Sequence, residues 1–389
     1  MRTNNRIIRK MTAKKKIAIA AGILVLVAAA AFCLHARTDS FESLPEAGHI
    51  DVTNASGDFS EQSQIYFEYI GTYLKDRSGR AGDHDNAQQW IVSELEKAGY
   101  DSSQITLQDI PSCYGKNIIL RVEGTDPSKM IIAGAHYDGD GVGDNGSGTA
   151  LLLATARGLQ KQKLPVTTVF VFFDEEETGL HGAEAFADSL TKKEAKSTIY
   201  MINIDAIGFG DYCNLYSGIE DKETKEITQL EAYNYACDIA RTQGLNVYGP
   251  EDLDGYYAKH GKGPKLDPKG LFTNPWTRAN PAPENTVDES LHYYSPMTIP
   301  ASDHVPFMEK GIPYLYFEAT NWYMKSNNDD IAYIGYTDVG DESVGDGGII
   351  MNTEYDTLET MAEYYPGRSL EHFRLYSPLL TELIVKPMK

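Results

Sequence analysis

The stretch AGAHYDGDGVGDNGSGTALLLATAR, Ala133 to Arg157, places His136, Asp138, Asp140 and Asp144 among closely spaced glycines, between an apolar run and an Ala/Leu-rich one. Two further acidic features follow the same pattern. The apolar run VFVFF opens into Asp174-Glu175-Glu176-Glu177, and IYMINI opens into Asp205. Taken one at a time these are ordinary: a polar turn, a helix start favoured by the helix dipole, a carboxylate at a strand end. Taken together they are not, because five or six carboxylates converging on one crevice repel one another unless a multivalent cation neutralises them. A single imidazole among oxygen donors suits zinc or a similar divalent ion. Glycines 139, 141, 143, 146 and 148 then belong to a loop folded tightly about the site, where side chains would obstruct close approach.

Elements of defined type must position these residues. Strand-like runs recur in ITLQDI, KNIILRVEG, MIIAGAHYD, TTVFVFFDEE, TIYMINIDAIG and IPYLYFEAT. Several are continuously apolar rather than alternating, as strands buried on both faces require, and helical stretches separate them. In DNAQQWIVSELEKAGY, for example, Ile91, Leu95 and Ala98 mark a helix face and Gly99 a stop. The pattern predicts an α/β fold with a central, mixed but largely parallel sheet between helical layers. In such sheets ligands bind beyond the carboxyl ends of the strands, where the acidic residues fall.

The rest of the chain bounds the reading. With 389 residues, 42% of them apolar, a sizeable core is expected. Residues 1–16 hold seven basic side chains and no acid, and residues 17–34, IAIAAGILVLVAAAAFCL, carry no charge. As a helix rising about 1.5 Å per residue the run spans roughly 27 Å, near the hydrocarbon thickness of a bilayer. This predicts a basic cytoplasmic tail (1–16) and a transmembrane anchor or signal sequence (17–36). The anchor is favoured because Leu34-His35-Ala36 is a poor cleavage site. Residues 37–61 read as a linker and 62–389 as the main domain, outside the cytoplasm, with an irregular Gly-, Pro- and Tyr-rich insert at about 249–300.

Residues 1–38 contain 8 of the 35 Lys and Arg and none of the 56 Asp and Glu, leaving 27 against 56, a net charge of −29, on the remainder. Such a body repels nucleic acid and anionic membrane surfaces and suits metal cations or substrates with a free amine. Four cysteines, one inside the apolar segment, make no disulfide framework. There is no phosphate-binding loop, no GxSxG nucleophile elbow and no HExxH pair, which argues against nucleotide-dependent reactions and serine hydrolysis.

HYDGDGVGDNGSG, FFDEEETGLHGAEAFA, NIDAIG and SDHVPFMEKGIPYLYFE, in this order, resemble the motifs of the co-catalytic zinc exopeptidases. That family includes bacterial leucine aminopeptidases and glutamate carboxypeptidase II, with glutaminyl cyclases and the transferrin receptor ectodomain as relatives. With RAGDHDNAQQWIVSELEKAGY upstream and NTEYDT downstream, the resemblance covers roughly residues 62–389. It implies the three-layer αβα zinc exopeptidase fold and two zinc ions bridged by Asp144. His136 and Asp205 complete one site, Glu177 belongs to the other, Glu176 is the general base, and Asp138 orients the imidazole. His304, in SDHVPF, is expected as a substrate-pocket or supporting residue. One departure stands out: where the family has a histidine as its last metal ligand, this chain has Asn352. An amide oxygen is a weaker zinc ligand than an imidazole, so the second site should bind less tightly.

The function implied is a metal-dependent exopeptidase removing residues from peptide N-termini. Two alternatives stay open at this level: a carboxypeptidase or dipeptidase of the same family, and a binding ectodomain that has lost turnover. Glutaminyl cyclisation ranks lower, because its single metal resembles the site weakened by Asn352.

Overall fold

A computed structural model describes residues 44–50, 57–79, 82–220, 227–248, 271–273, 302–321 and 337–389. The chain divides into two units, Met1–Glu46 and Ala47–Lys389. The basic tail and the apolar segment at 17–36 lie outside the described residues, as does the insert at 249–300 apart from one short strand. No helix among the described residues is long and apolar enough to cross a membrane.

The second unit is built on a nine-stranded mixed sheet. In chain order its strands are β1 (Ile105–Asp109), β2 (Lys116–Val122), β3 (Asp126–His136), β4 (Val166–Phe173), β5 (Thr198–Ile204), β6 (Tyr212–Tyr216), β9 (Asn246–Tyr248), β10 (Leu271–Thr273) and β11 (Tyr314–Thr320), with a separate two-stranded ribbon, β7 (Ile219–Glu220) and β8 (Ile227–Thr228), between β6 and β9. Their order across the sheet is β1-β2-β4-β3-β5-β11-β6-β10-β9. The four central strands, β4, β3, β5 and β11, run parallel, whereas β2 meets β4 and β6 meets β11 antiparallel. Strand β4 is buried at every position, and β3 from Met130 onward, which accounts for their uninterrupted apolar sequence.

Helices cover both faces. Those that matter for the site are α1 (Ser60–Tyr73), α2 (His84–Ala98), α3 (Gly146–Leu159), α4 (His181–Ser189), α5 (Lys192–Ser197), α6 (Glu231–Thr242), α7 (Val305–Glu309), α8 (Leu358–Tyr364) and α9 (Arg368–Val385). On one face Ile132, Val171, Phe173 and Met201 pack with Phe186 of α4 and Phe307 of α7. On the other, Phe317 of β11 stacks on Tyr376 of α9 with ring centroids 5.0 Å apart, and the Tyr200 hydroxyl of β5 donates to the Leu383 carbonyl of α9. The body reaches back beyond α1: Phe59 is buried and its amide donates to Ser377 Oγ at 2.7 Å.

Candidate metal centre

Strand β3 lies between β4 and β5 and runs parallel to both, so the three acidic exits stand side by side at the carboxyl ends of the central strands. His136 ends β3 and is 1% exposed. Its Nε2 lies 3.1 Å from Asp144 Oδ1, 3.3 Å from Asp205 Oδ1 and 4.0 Å from Glu176 Oε2. On the other side of the ring, Nδ1 lies 3.3 Å from Asp138 Oδ1, without the alignment of a hydrogen bond, so both atoms are buried and unpaired. The second oxygen of Asp138 accepts the Glu177 amide at 3.2 Å.

The loop from β3 to α3 carries Asp144 up to the N-terminus of that helix, where a negative charge is favoured. Asn145 caps the helix by accepting the Gly148 amide, and its amide group donates to the Ile204 carbonyl at 2.8 Å, which ties this loop to the strand end that presents Asp205. The carboxylate of Asp356 accepts the amides of Gly143 (2.5 Å) and Asp144 (2.9 Å). A Cβ at Gly141 would fall against that same carboxylate, and Gly139 has a left-handed φ of 94° beside Glu177, so these glycines make room for two acidic side chains. On the β4 side, Asp174 is buried, accepts the Lys116 amide at 2.7 Å and pairs with His84 Nε2 at 2.9 Å. It thereby holds the start of the turn that presents Glu176 and Glu177.

Charge is concentrated here. Burial, reinforced by Asp303, Asp205 and Asp144 and opposed by His136, pushes the Glu176 carboxyl up to about 10. Burial also raises Asp144 well above the usual carboxylate range, with Asp205 adding to it. Asp205 goes the other way: His136 and hydrogen bonds such as that from Ser302 Oγ at 2.5 Å outweigh its burial and hold it low. Asp303 is fully buried, and neither of its carboxylate oxygens has a hydrogen-bond partner.

The donor set fits a divalent cation. One buried group of possible ligand atoms, from His136, Asp144 and Asp205, lies within 4.8 Å, and a second joins His136 with Glu176 and Glu177. Orphaned oxygens on Asp138 and Asp303 beside a single imidazole are what a cation would compensate. A positive charge there would favour the ionised form of each carboxylate, against the effect of burial.

The sequence-predicted residues His136, Asp138, Asp144, Glu176, Glu177 and Asp205 are thus brought together. Asn352 is exposed, with a left-handed φ of 58°. The residue before it, Met351, lines a shallow recess with Gly143, Asp144, Ala206, Phe209, Asp338 and Asp356. His304 is fully buried, its ring stacked between Tyr314 (4.6 Å) and Tyr316 (4.7 Å). Sequence reasoning did not single out Ser302, Asp303, Asn145, Asp356, Arg77 or His84. Ser302 and Asp303 adjoin His304 in SDHVPF, Asn145 lies in HYDGDGVGDNGSG, Asp356 in NTEYDT and His84 in RAGDHDNAQQWIVSELEKAGY, so a reading of whole motifs would have reached them; Arg77 carries no comparable signal.

Fold and site define an α/β domain with an acidic, imidazole-containing cluster that could hold a metal ion at the carboxyl ends of its parallel strands. Residues 117–261 match the model of Peptidase family M28. It is 37% identical over 158 residues to a vacuolar membrane protease of Candida tropicalis, a match covering 39% of this chain and 16% of that protein. It is 29% identical over 208 residues to leupeptin-inactivating enzyme 1 of Streptomyces exfoliatus (51% and 45% covered). A third relative, leucine aminopeptidase 2 of Trichophyton equinum, is 34% identical over 107 residues (26% and 22% covered). The chain spans less than half the length of each of these relatives. Among solved structures, a glutaminyl cyclase from an Acidobacteriales bacterium matches with a TM-score of 0.52 at 16% identity, covering 88% of this chain and all of that one. The LapA aminopeptidase of Legionella pneumophila matches with a TM-score of 0.50 at 14% identity, covering 88% and 76%. At these identities the likeness is one of fold.

Proposed function

We propose that the chain is a zinc-dependent aminopeptidase that hydrolyses N-terminal residues from peptides. The observation that carries the reading is the convergence of Asp144, Asp205 and Glu176 on Nε2 of one buried imidazole. His136, Asp144 and Asp205 would hold one ion; Asp144, Glu177 and the Asn352 amide oxygen would hold a second, more weakly. Bound there, divalent ions polarise the scissile carbonyl and acidify a water.

The chain's own residues do the rest. Asp138 faces Nδ1 of His136 and keeps its Nε2 turned to the cluster. Glu176 sits next to a proposed ligand without being one itself. It takes the proton of the attacking water on a carboxylate oxygen and passes it to the leaving amine. The family match, together with relatives that include an aminopeptidase, supports this choice of chemistry. The same reading anchors the chain in a membrane through residues 17–36, with the body outside the cytoplasm.

The test is digestion of a mixture of free and N-terminally blocked peptides by the full chain, with and without added zinc, read by mass spectrometry. Stepwise N-terminal trimming of free peptides alone is the expected result. Loss from C-termini would move the activity to a carboxypeptidase, and no cleavage with any divalent metal would leave a binding ectodomain.

A further inference from the structure

Arg77 is among the largest fully buried side chains of the body, 1% exposed, on the segment between α1 and α2. A buried guanidinium is costly unless its donors and its charge are both met. Here all three nitrogens donate to backbone carbonyls: Nε to Tyr137 (2.8 Å), one terminal nitrogen to Leu74 (2.7 Å) and the other to Gly141 (2.6 Å). Its backbone amide adds a fourth link, to the Gly139 carbonyl at 2.9 Å. Countercharge comes from Asp356, Asp138, Asp144 and Asp140.

Three of the four carbonyls belong to the loop between His136 and Asp144, whose amides are held from elsewhere. The Asp356 carboxylate accepts the amides of Gly143 and Asp144, and its carbonyl accepts that of Val142 at 3.1 Å. A cation therefore gathers the loop's carbonyls while an anion gathers its amides. Tyr137 extends the arrangement, because its carbonyl is held by Arg77 and its hydroxyl donates to Asp174 at 2.5 Å, at the start of the Glu176 turn.

We propose that Arg77 is a positioning residue which, with Asp356, presets the loop from Tyr137 to Asp144 in its metal-binding conformation before any cation is present. The proposal rests on the metal-centre reading for its purpose but not for its geometry. A preset loop has two consequences. Its amides are protected in the metal-free protein, and metal binds without an ordering cost to the loop.

The test is run on the full chain as wild type, Arg77→Met and Arg77→Lys. Hydrogen exchange of the amides at 142–144 is measured after chelation, and zinc affinity by competition with a chromophoric chelator. Arg77→Met is expected to accelerate exchange at 142–144 at least tenfold, with β4 and β5 amides unchanged, and to weaken zinc binding by about 10- to 100-fold, the range for residues supporting metal ligands. Arg77→Lys keeps the charge but cannot span three carbonyls, so it should fall between the two. Wild-type exchange and affinity in Arg77→Met would overturn the proposal. Should that variant fail to fold, Arg77→Lys decides, and wild-type behaviour there would be equally fatal. Failure of wild type to bind zinc would refute the proposed function instead, leaving the exchange data to judge the loop.

Discussion

Asp138 connects two parts of the centre through its two oxygens: Oδ1 faces His136 Nδ1 at 3.3 Å, and Oδ2 accepts the Glu177 amide at 3.2 Å. One side chain thus touches both the imidazole that ends β3 and the turn that follows β4. Asp138→Asn keeps the shape but removes the charge that favours the proton on Nδ1. Zinc affinity should fall by about 10- to 100-fold. Equilibrium dialysis against a buffered zinc series checks this; wild-type affinity would leave Asp138 without an orienting role.

Glu176→Gln should lower kcat by about 10²- to 10⁴-fold, the range for a positioned acid or base, while bound metal stays at the wild-type level. Turnover and metal content need to be measured on the same sample. Loss of metal alongside activity would make Glu176 a ligand rather than a base.

Asn352→His should raise affinity for the more weakly held ion, since imidazole is the better zinc donor. The left-handed backbone at this position is tolerated by histidine as well as asparagine, so the exchange need not strain the chain. Zinc titration by calorimetry would register a tighter second event. Identical isotherms for the two proteins would put residue 352 outside the metal shell.

Glu318 of β11 is buried, and burial pushes its carboxyl up to about 8 against hydrogen bonds from Tyr216 and Tyr316. Because this lies above the ordinary value of 4.5, the folded chain keeps a proton there that the unfolded chain has released. Stability should therefore fall as pH rises from about 4.5 to 8 and level off beyond. A tenfold difference in proton affinity between the folded and unfolded chain is worth about 1.4 kcal/mol, so the loss across the window is a few kcal/mol. Denaturant unfolding at pH 5 and pH 8.5 should show a smaller loss for Glu318→Gln than for wild type. Equal losses would mean that Glu318 does not titrate in this range.

Much of the centre is legible without coordinates. His136, Glu176, Glu177 and Asp205 each stand at or just beyond the end of a short, continuously apolar run rich in β-branched or aromatic residues, the pattern of a strand buried on both faces. The acidic residues at those ends, and the glycines before α3, follow from local patterning alone. The burial of Phe59, inside a stretch that reads as linker, does not, because the Ser377 that accepts its amide lies 318 residues away.

Which residues support these ends depends on how distant elements pack together. Strand order across the sheet placed β3 between β4 and β5, so that one imidazole meets carboxylates from both sides. Asp356 reaches the metal loop from 213 residues away, and Arg77 from 64. Such contacts have no period and no fixed spacing. An element's type is written in the pattern of its own residues, whereas the partner of a buried carbonyl, amide or carboxylate is set by how the elements pack.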